Sequence, residues 1–150
     1  MHTRYHFQQG LATIPTVIAL TILVLAVGIG ITSLSLSESF VTLGQDYSTR
    51  ALFYAETGAK DALEKVARNK QYSCTATDCY SIPMATNGCT TNDGCARVTV
   101  TSGVGSIADP KIITSKGQIK SSTRRVQVTV IFDASLNGEI ATASWQELNN

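Results

Sequence analysis

The sequence predicts an α+β fold in which a long N-terminal helix packs on a small antiparallel β-sheet. Three observations predict it. An uncharged apolar run extends from Leu11 to Ile31. Apolar residues then recur every three or four positions as far as Val66, as they do on one face of a helix. After Cys95, short segments alternate apolar and polar residues, which is typical of half-buried strands. The helix is expected to be transmembrane at first and amphipathic afterwards.

The first 32 residues are predicted to be a leader followed by a membrane-spanning helix. Residues 1–10, MHTRYHFQQG, form the leader peptide, which ends at Gly10. Residues 11–32 form the transmembrane and assembly helix, because about 20 helical residues cross a hydrocarbon core. The alternative is an ordinary secretory signal cut near Ser33–Ser35. Such signals have an apolar region of about 7–15 residues, which is shorter than this run.

The charges on either side of the span predict its orientation. Arg4 precedes the span, whereas Glu38 and Asp46 follow it, and residues 32–48 contain no lysine or arginine. Positively charged residues stay on the cytoplasmic side of a membrane. We therefore expect a single-pass cell membrane protein with a cytoplasmic N-terminus and its C-terminal domain outside.

Residues 33–70 are predicted to continue the same helix in amphipathic form. No proline interrupts the chain between Thr16 and Tyr72. Acidic residues precede basic ones by four positions, as in Glu56 and Lys60, and such pairs each stabilise a helix by a few tenths of a kcal/mol. The part of the apolar stripe between residues 47 and 66 is expected to cover the sheet. The whole stripe consists of Leu36, Phe40, Leu43, Tyr47, Ala51, Ala55, Ala59, Ala62 and Val66.

Residues 71–150 are predicted to form an extracytoplasmic β-sheet domain with a cysteine-rich loop. The short links between successive strands favour an antiparallel meander. Gly117 is interpreted as a candidate bulge, Asn137-Gly138 as a turn, and Trp145 as part of the core. The strands are expected at residues 96–101, 111–120, 125–132 and 140–148, and the last of them is expected to be an edge strand.

The polar segment 72–94 is predicted to be a loop held by disulfide bonds. It contains or adjoins all four cysteines, Cys74, Cys79, Cys89 and Cys95. Their even number and close clustering beyond a membrane span favour disulfides in an oxidising compartment. Of the three pairings, the sequential one is preferred because it closes two short loops. A zinc site is the alternative, but only one of the two cysteine spacings suits it. A calcium loop at Thr91–Gly94 with Asp78 would lack the repeated acids of a calcium-binding helix-loop-helix.

Composition argues against several other classes of function. The formal net charge is +1, and nucleic-acid binding would require a clustered basic face. Arg124-Arg125 is the only adjacent basic pair and is interpreted as a solvated strand edge. Both histidines, His2 and His6, lie in the leader. The acidic residues Asp109, Asp133 and Glu139 form no catalytic constellation. We therefore expect no enzymatic activity, no cofactor, no metal and no nucleic-acid partner.

The order of these elements resembles type IV pilins and the pseudopilins of type II secretion. The segment ALFYAETGAKDALEKVA (51–67) is similar to a helix segment of minor pilins. TSKGQIKSSTRRVQVTV (114–130) and ASWQEL (143–148) are similar to the sheet of that group. The resemblance implies a structural subunit cut by a prepilin peptidase at the Gly10–Leu11 bond. It also implies assembly with other pilin-like subunits through the N-terminal helix.

Two residues depart from the pattern of that family. The family usually has a basic residue where this chain has Gln9, and a glutamate at the fifth mature position, where this chain has Pro15. That glutamate would pair with a neighbour's buried ammonium, because either charge alone is costly in an apolar bundle. A subunit at a filament tip has no such neighbour above it, so the departure indicates a minor or tip subunit. The alternative function is a single-pass membrane-anchored binding or adhesin module that does not assemble.

Overall fold

The computed structural model describes residues 13–134 and 139–148, and it has the α+β architecture that the sequence predicts. Helix α1 comprises Thr13–Arg68. The strands are β1 (Tyr80–Pro83), β2 (Cys95–Val100), β3 (Lys111–Ile119), β4 (Ser122–Phe132) and β5 (Ile140–Leu148), and a short helix, α2 (Gly88–Thr91), lies between β1 and β2. The strands form one sheet in the order β1-β2-β3-β4-β5, and every neighbouring pair is antiparallel. The meander is therefore confirmed.

The chain divides into two compact units, Met1–Thr42 and Leu43–Asn150. Within the second unit, the C-terminal part of α1 packs on the sheet. Four residues of α1, Ala55, Ala59, Ala62 and Val66, are fully buried against apolar residues of β2, β3 and β4. Their spacing of three or four places them on one helix face. The sheet contributes Val98, Val100, Ile113, Val126, Val128 and Val130. The predicted stripe is buried from Ala51 onward, whereas Phe40 and Leu43 are exposed.

Gly117 allows the helix and the sheet to approach closely. A Cβ at this position would overlap the carbonyl oxygen of Ala51 and would lie 2.5 Å from the nitrogen of Ala55. The interpretation of Gly117 as a bulge is wrong, since it pairs in regular register with Ala96 and Arg124. A strand glycine marks either a bulge or a close backbone approach, and here it marks the approach.

The segment 72–94, predicted to be a loop, contains two short elements, β1 and α2. Strand β1 has only four residues, and its polar and apolar positions are too few to make a pattern. It is defined by pairing with β2, from Tyr80 opposite Val98 to Pro83 opposite Cys95. Helix α2 is also four residues long and is bounded by Asn87 and Asn92, both in left-handed conformation. Asparagine tolerates that conformation better than most residues.

Trp145 is not part of the core. It lies on edge strand β5, opposite the buried Val128, and its side chain is 42% exposed. The fully buried sheet residues of the core come from β2, β3 and β4, so a residue on β5 is covered on one side only. The turn predicted at Asn137-Gly138 lies outside the described residues.

Candidate assembly surface and disulfide-bonded loop

The N-terminal part of α1 carries an exposed surface of large apolar side chains. Between Ile14 and Ile31 these side chains are 52–70% exposed, and the segment contains no charged residue. By length and composition, α1 is long and apolar enough to cross a membrane. Such a surface is unfavourable in water, because burying each large aliphatic side chain is worth about 1.5–3 kcal/mol. Lipid or other apolar helices can cover it.

Two threonine hydroxyls, one within this segment and one directly after it, are satisfied by the helix itself. The hydroxyl of Thr21 lies 2.8 Å from the carbonyl oxygen of Ile18 and 3.1 Å from that of Val17. The hydroxyl of Thr32 donates in the same way to the carbonyl of Gly28, at 2.7 Å. An apolar surrounding offers no hydrogen bonds, so a hydroxyl there must find its partner within the protein. These bonds suit a helix buried in hydrocarbon.

Pro15 and the two glycines of the segment do not interrupt α1. The helix is continuous from Thr13 through Pro15 and both glycines to Arg68. A Cβ at Gly28 or Gly30 would meet nothing within 4 Å. The surface at both glycines is therefore open to a neighbouring chain. The predicted cleavage residues Gly10 and Leu11 lie outside the described part of the chain.

Large apolar side chains are also exposed beyond the uncharged segment. Phe40 is 72% exposed, Val41 58% and Phe53 62%. Two phenylalanines at this level of exposure gain little from the fold of the isolated chain. They are available for contact with another molecule.

The four cysteines form the two pairs of the preferred sequential arrangement. Cys74 is bonded to Cys79, and Cys89 to Cys95, with Cα–Cα distances of 5.7 and 4.7 Å. Cys74 also exchanges two backbone hydrogen bonds with Val100, each of 2.9 Å. The first disulfide therefore fastens the loop at residues 75–78 beside β2, and the second joins α2 to the beginning of β2.

A polar cluster attaches β1 to α1. The hydroxyl of Tyr80 donates to Oδ2 of Asp61 at 2.8 Å. Lys65 forms an ion pair with Asp61 at 2.9 Å, and its Nζ lies 3.6 Å from the centre of the Tyr80 ring. Burial, together with the hydrogen bond to the Asp61 carboxylate, raises the pKa of Tyr80 well above its usual value. Tyr80 therefore stays protonated and remains a donor under ordinary conditions.

A second polar anchor lies on β3. Lys111 is 1% exposed, and its Nζ donates to the carbonyl of Tyr72 at 2.8 Å. Burial lowers the pKa of Lys111, and the nearby Asp109 acts in the opposite direction. This bond ties the segment that follows α1 to the sheet. Residues 69–79 contain few apolar side chains, so this hydrogen bond helps to hold that segment in place.

The acids considered for a calcium loop already have basic partners. Asp93 forms an ion pair with Lys120, which lowers the pKa of Asp93. Asp78 lies 3.9 Å from Nε of Arg97. Within residues 13–134 and 139–148, no group of three histidine, cysteine, aspartate or glutamate side chains is arranged to hold a metal ion.

The interpretation of Arg124-Arg125 as a strand edge is wrong, because β4 lies between β3 and β5. The two arginines point to opposite faces of the sheet. Arg124 lies on the helix side, where it contacts Ser48 and Glu147, each at 2.9 Å. Arg125 lies on the other face, which we call the outer face. Successive residues of a strand point to opposite faces of the sheet, so two arginines that are adjacent in sequence do not form one basic cluster here.

Together these features define a class of α+β chain, with an N-terminal helix that is apolar at one end and packed on an antiparallel sheet at the other. Comparison with protein-family models, with curated proteins and with solved structures found no match to the chain.

Proposed function

We propose that this chain is a minor pilin or pseudopilin. It would be a structural subunit that is processed by prepilin peptidase and assembles into, or primes, a type IV pilus or a secretion pseudopilus. The observation that carries the proposal is α1, a single helix of 56 residues. Its N-terminal part exposes large apolar side chains, and its C-terminal part packs small residues on the sheet. This combination suits a subunit that assembles through its helix and displays its sheet.

In this proposal the chain inserts with its N-terminus in the cytoplasm and its sheet outside. Arg4 before the apolar run and the acids Glu38 and Asp46 after it support that orientation. The two disulfides support it as well, since disulfides persist in oxidising compartments. The peptidase then cuts the Gly10–Leu11 bond on the cytoplasmic side. The mature chain begins at Leu11.

Assembly exchanges lipid contacts of α1 for contacts with equivalent helices of other pilin-like subunits. The open positions at Gly28 and Gly30 favour this exchange, because small residues let helix backbones approach each other within a membrane. The exposed Phe40 offers a further large apolar side chain to such contacts beyond the span. Pro15 supplies no carboxylate for the ammonium of a neighbouring subunit, so the proposal places this chain among the minor subunits, at or near a tip.

The role of Phe40 in assembly is tested by replacing it with alanine. Because the side chain is 72% exposed in the isolated chain, the substitution leaves the urea midpoint of unfolding unchanged. Burial of a phenylalanine in an interface is worth about 1.5–3 kcal/mol, so the substitution reduces recovery of the chain with sheared surface filaments by roughly tenfold. The measurement is an immunoblot of the sheared and membrane fractions of the native host.

Ile107→Ala is the matched control, since Ile107 is 86% exposed and lies between β2 and β3 rather than on α1. Its recovery should equal that of the unmodified chain. Recovery of every form in the membrane fraction alone would contradict assembly and would favour an anchored module that stays in the membrane.

A further inference from the structure

Three basic residues stand side by side in one row across the outer face of the sheet. Arg97 on β2 pairs directly with Lys116 on β3, and Lys116 pairs directly with Arg125 on β4. Neighbouring strands are about 4.8 Å apart, so the row places three positive charges within roughly 10 Å. Like charges directly opposite each other on neighbouring strands destabilise a sheet. Repulsion among the three charges therefore destabilises the sheet of the free chain, and a bound anion would relieve that repulsion.

The acidic residues in the described part of the chain neutralise at most one member of this row. Among them, Asp78 alone lines the adjoining groove, and it lies 3.9 Å from Arg97. Arg97 is also held in place by Gln118 Oε1 at 3.0 Å and by the carbonyl of Cys89 at 3.2 Å. Lys116 and Arg125 have no ion-pair partner among residues 13–134 and 139–148. Two of the three charges are thus free to bind a ligand.

The row lies in an open groove whose other walls consist mainly of hydroxyl groups. The groove has a volume of about 570 Å³. One wall is the loop at residues 75–78, which the Cys74–Cys79 disulfide and the Cys74–Val100 hydrogen bonds hold beside β2. The hydroxyls of Thr75, Thr77 and Thr114 make no hydrogen bond within the described part of the chain. Each can donate and accept.

From this juxtaposition we propose that the outer face is a binding site for a carboxylated polysaccharide. Arg125 and Lys116 bind its carboxylates, and the guanidinium of Arg125 can do so with two parallel hydrogen bonds. The threonine hydroxyls bind the hydroxyl groups of the sugars. The inference goes beyond assembly, because it concerns a face of the sheet that α1 does not cover.

The composition of the groove favours a polysaccharide over a nucleic acid or an acidic peptide. Single-stranded nucleic acids stack their bases on aromatic side chains, and none of the described residues that line the groove is aromatic. Peptides dock along sheet edges or place side chains in apolar pockets. The lining of this groove includes only two large apolar residues, Val100 and Leu148, and lies on the face of the sheet. Hydroxyl groups beside basic side chains match a polymer that carries both hydroxyls and carboxylates.

The test measures binding of polygalacturonate to the full chain in detergent micelles at low and moderate salt. The double variant Lys116→Gln/Arg125→Gln should bind at least about tenfold more weakly, because it removes two charged hydrogen-bond donors. Arg124→Gln is the matched control. It removes the same charge from the neighbouring position of β4 but on the opposite face, and its binding should stay within about twofold of the unmodified chain. Neutral dextran should not bind.

Three results would overturn the proposal. The first is polygalacturonate binding that is equal in the unmodified chain and the double variant, or absent from both. The second is an equal loss in the Arg124→Gln control, which would show that overall charge alone matters. The third is binding of duplex DNA or polyglutamate as tight as that of polygalacturonate, which would show that the hydroxyl groups play no part. The urea midpoint of each variant, followed by Trp145 fluorescence, separates loss of binding from loss of folding.

Discussion

Replacing Gly117 with alanine should lower the free energy of unfolding by about 3 kcal/mol. The added methyl group would overlap the carbonyl oxygen of Ala51 and press on the nitrogen of Ala55. Both atoms belong to the backbone of α1, so no side-chain rotation can relieve the overlap. Overpacking of this kind costs typically 1–3 kcal/mol and occasionally more. The helix must move away from the sheet, which loosens the packing of Ala55 and Ala59 on the core as well.

Whether the Gly117→Ala substitution lowers or raises the free energy of unfolding shows which effect is larger, the steric overlap with α1 or the backbone preference for alanine over glycine. In an uncrowded strand, alanine is more stable than glycine by roughly 0.5–1 kcal/mol. The control is Gly44→Ala on α1, where the new methyl group meets nothing within 4 Å, and it should raise stability by about 1 kcal/mol. Urea unfolding of the full chain in detergent, followed by the fluorescence of Trp145, measures both variants. A Gly117→Ala chain as stable as the unmodified one would contradict the close approach of helix and sheet.

Removing the Cys89–Cys95 disulfide should lower the free energy of unfolding by about 2–4 kcal/mol, the usual range for a native disulfide. The unit Leu43–Asn150 is small, and domains of this size often depend on such cross-links. Cys95 begins β2, is 1% exposed, and pairs with Pro83 on one side and Gln118 on the other. The double variant Cys89→Ser/Cys95→Ser therefore loosens β2 and also leaves a polar hydroxyl in a buried position.

The Cys74→Ser/Cys79→Ser variant provides the comparison. Its loop is nearer the surface, and hydrogen bonds to Val100 still hold Cys74, so its loss should be the smaller of the two. Urea midpoints with and without reductant give both values. With reductant present, the unmodified chain should unfold at a midpoint near that of a chain lacking both disulfides. A midpoint that reductant does not change would contradict a stabilising role for these bonds.

The main elements could be predicted from the sequence because their signals are local. The apolar run is continuous and long enough for a helix that spans a membrane. The small residues between Ala51 and Val66 recur at helical spacing. Residues 125–132 alternate apolar and polar side chains, as a strand does. Short links between these strands then leave few topologies other than a meander. Strand β1 could not be predicted in this way. It is four residues long, and its hydrogen bonds with β2, rather than its own pattern, make it a strand.

The outer-face site illustrates a different limit of sequence reasoning. Alternation of side chains within a strand predicts which face of that strand each of Arg97, Lys116 and Arg125 occupies. Their meeting in one row depends on the register between three strands, and a shift of one residue would move a side chain to the other face. The same limit applies to Gly117, whose position in the strand is visible in the sequence but whose contact with α1 is not. The edge position of β5 is predicted from the sequence, but how much of the Trp145 side chain this position leaves exposed is not.

The most direct test of the proposed function is the N-terminal sequence of the chain recovered from the surface or membrane fraction of its host. The proposal predicts a mature chain that begins at Leu11, and it predicts that a Gly10→Val variant keeps Met1 and fails to assemble. Gln8→Ala, a change within the leader that leaves both Gly10 and the charge of Arg4 in place, should still be cut at the same bond. Recovery of the unmodified chain with Met1 intact, or equal assembly of the Gly10→Val variant, would contradict the proposal.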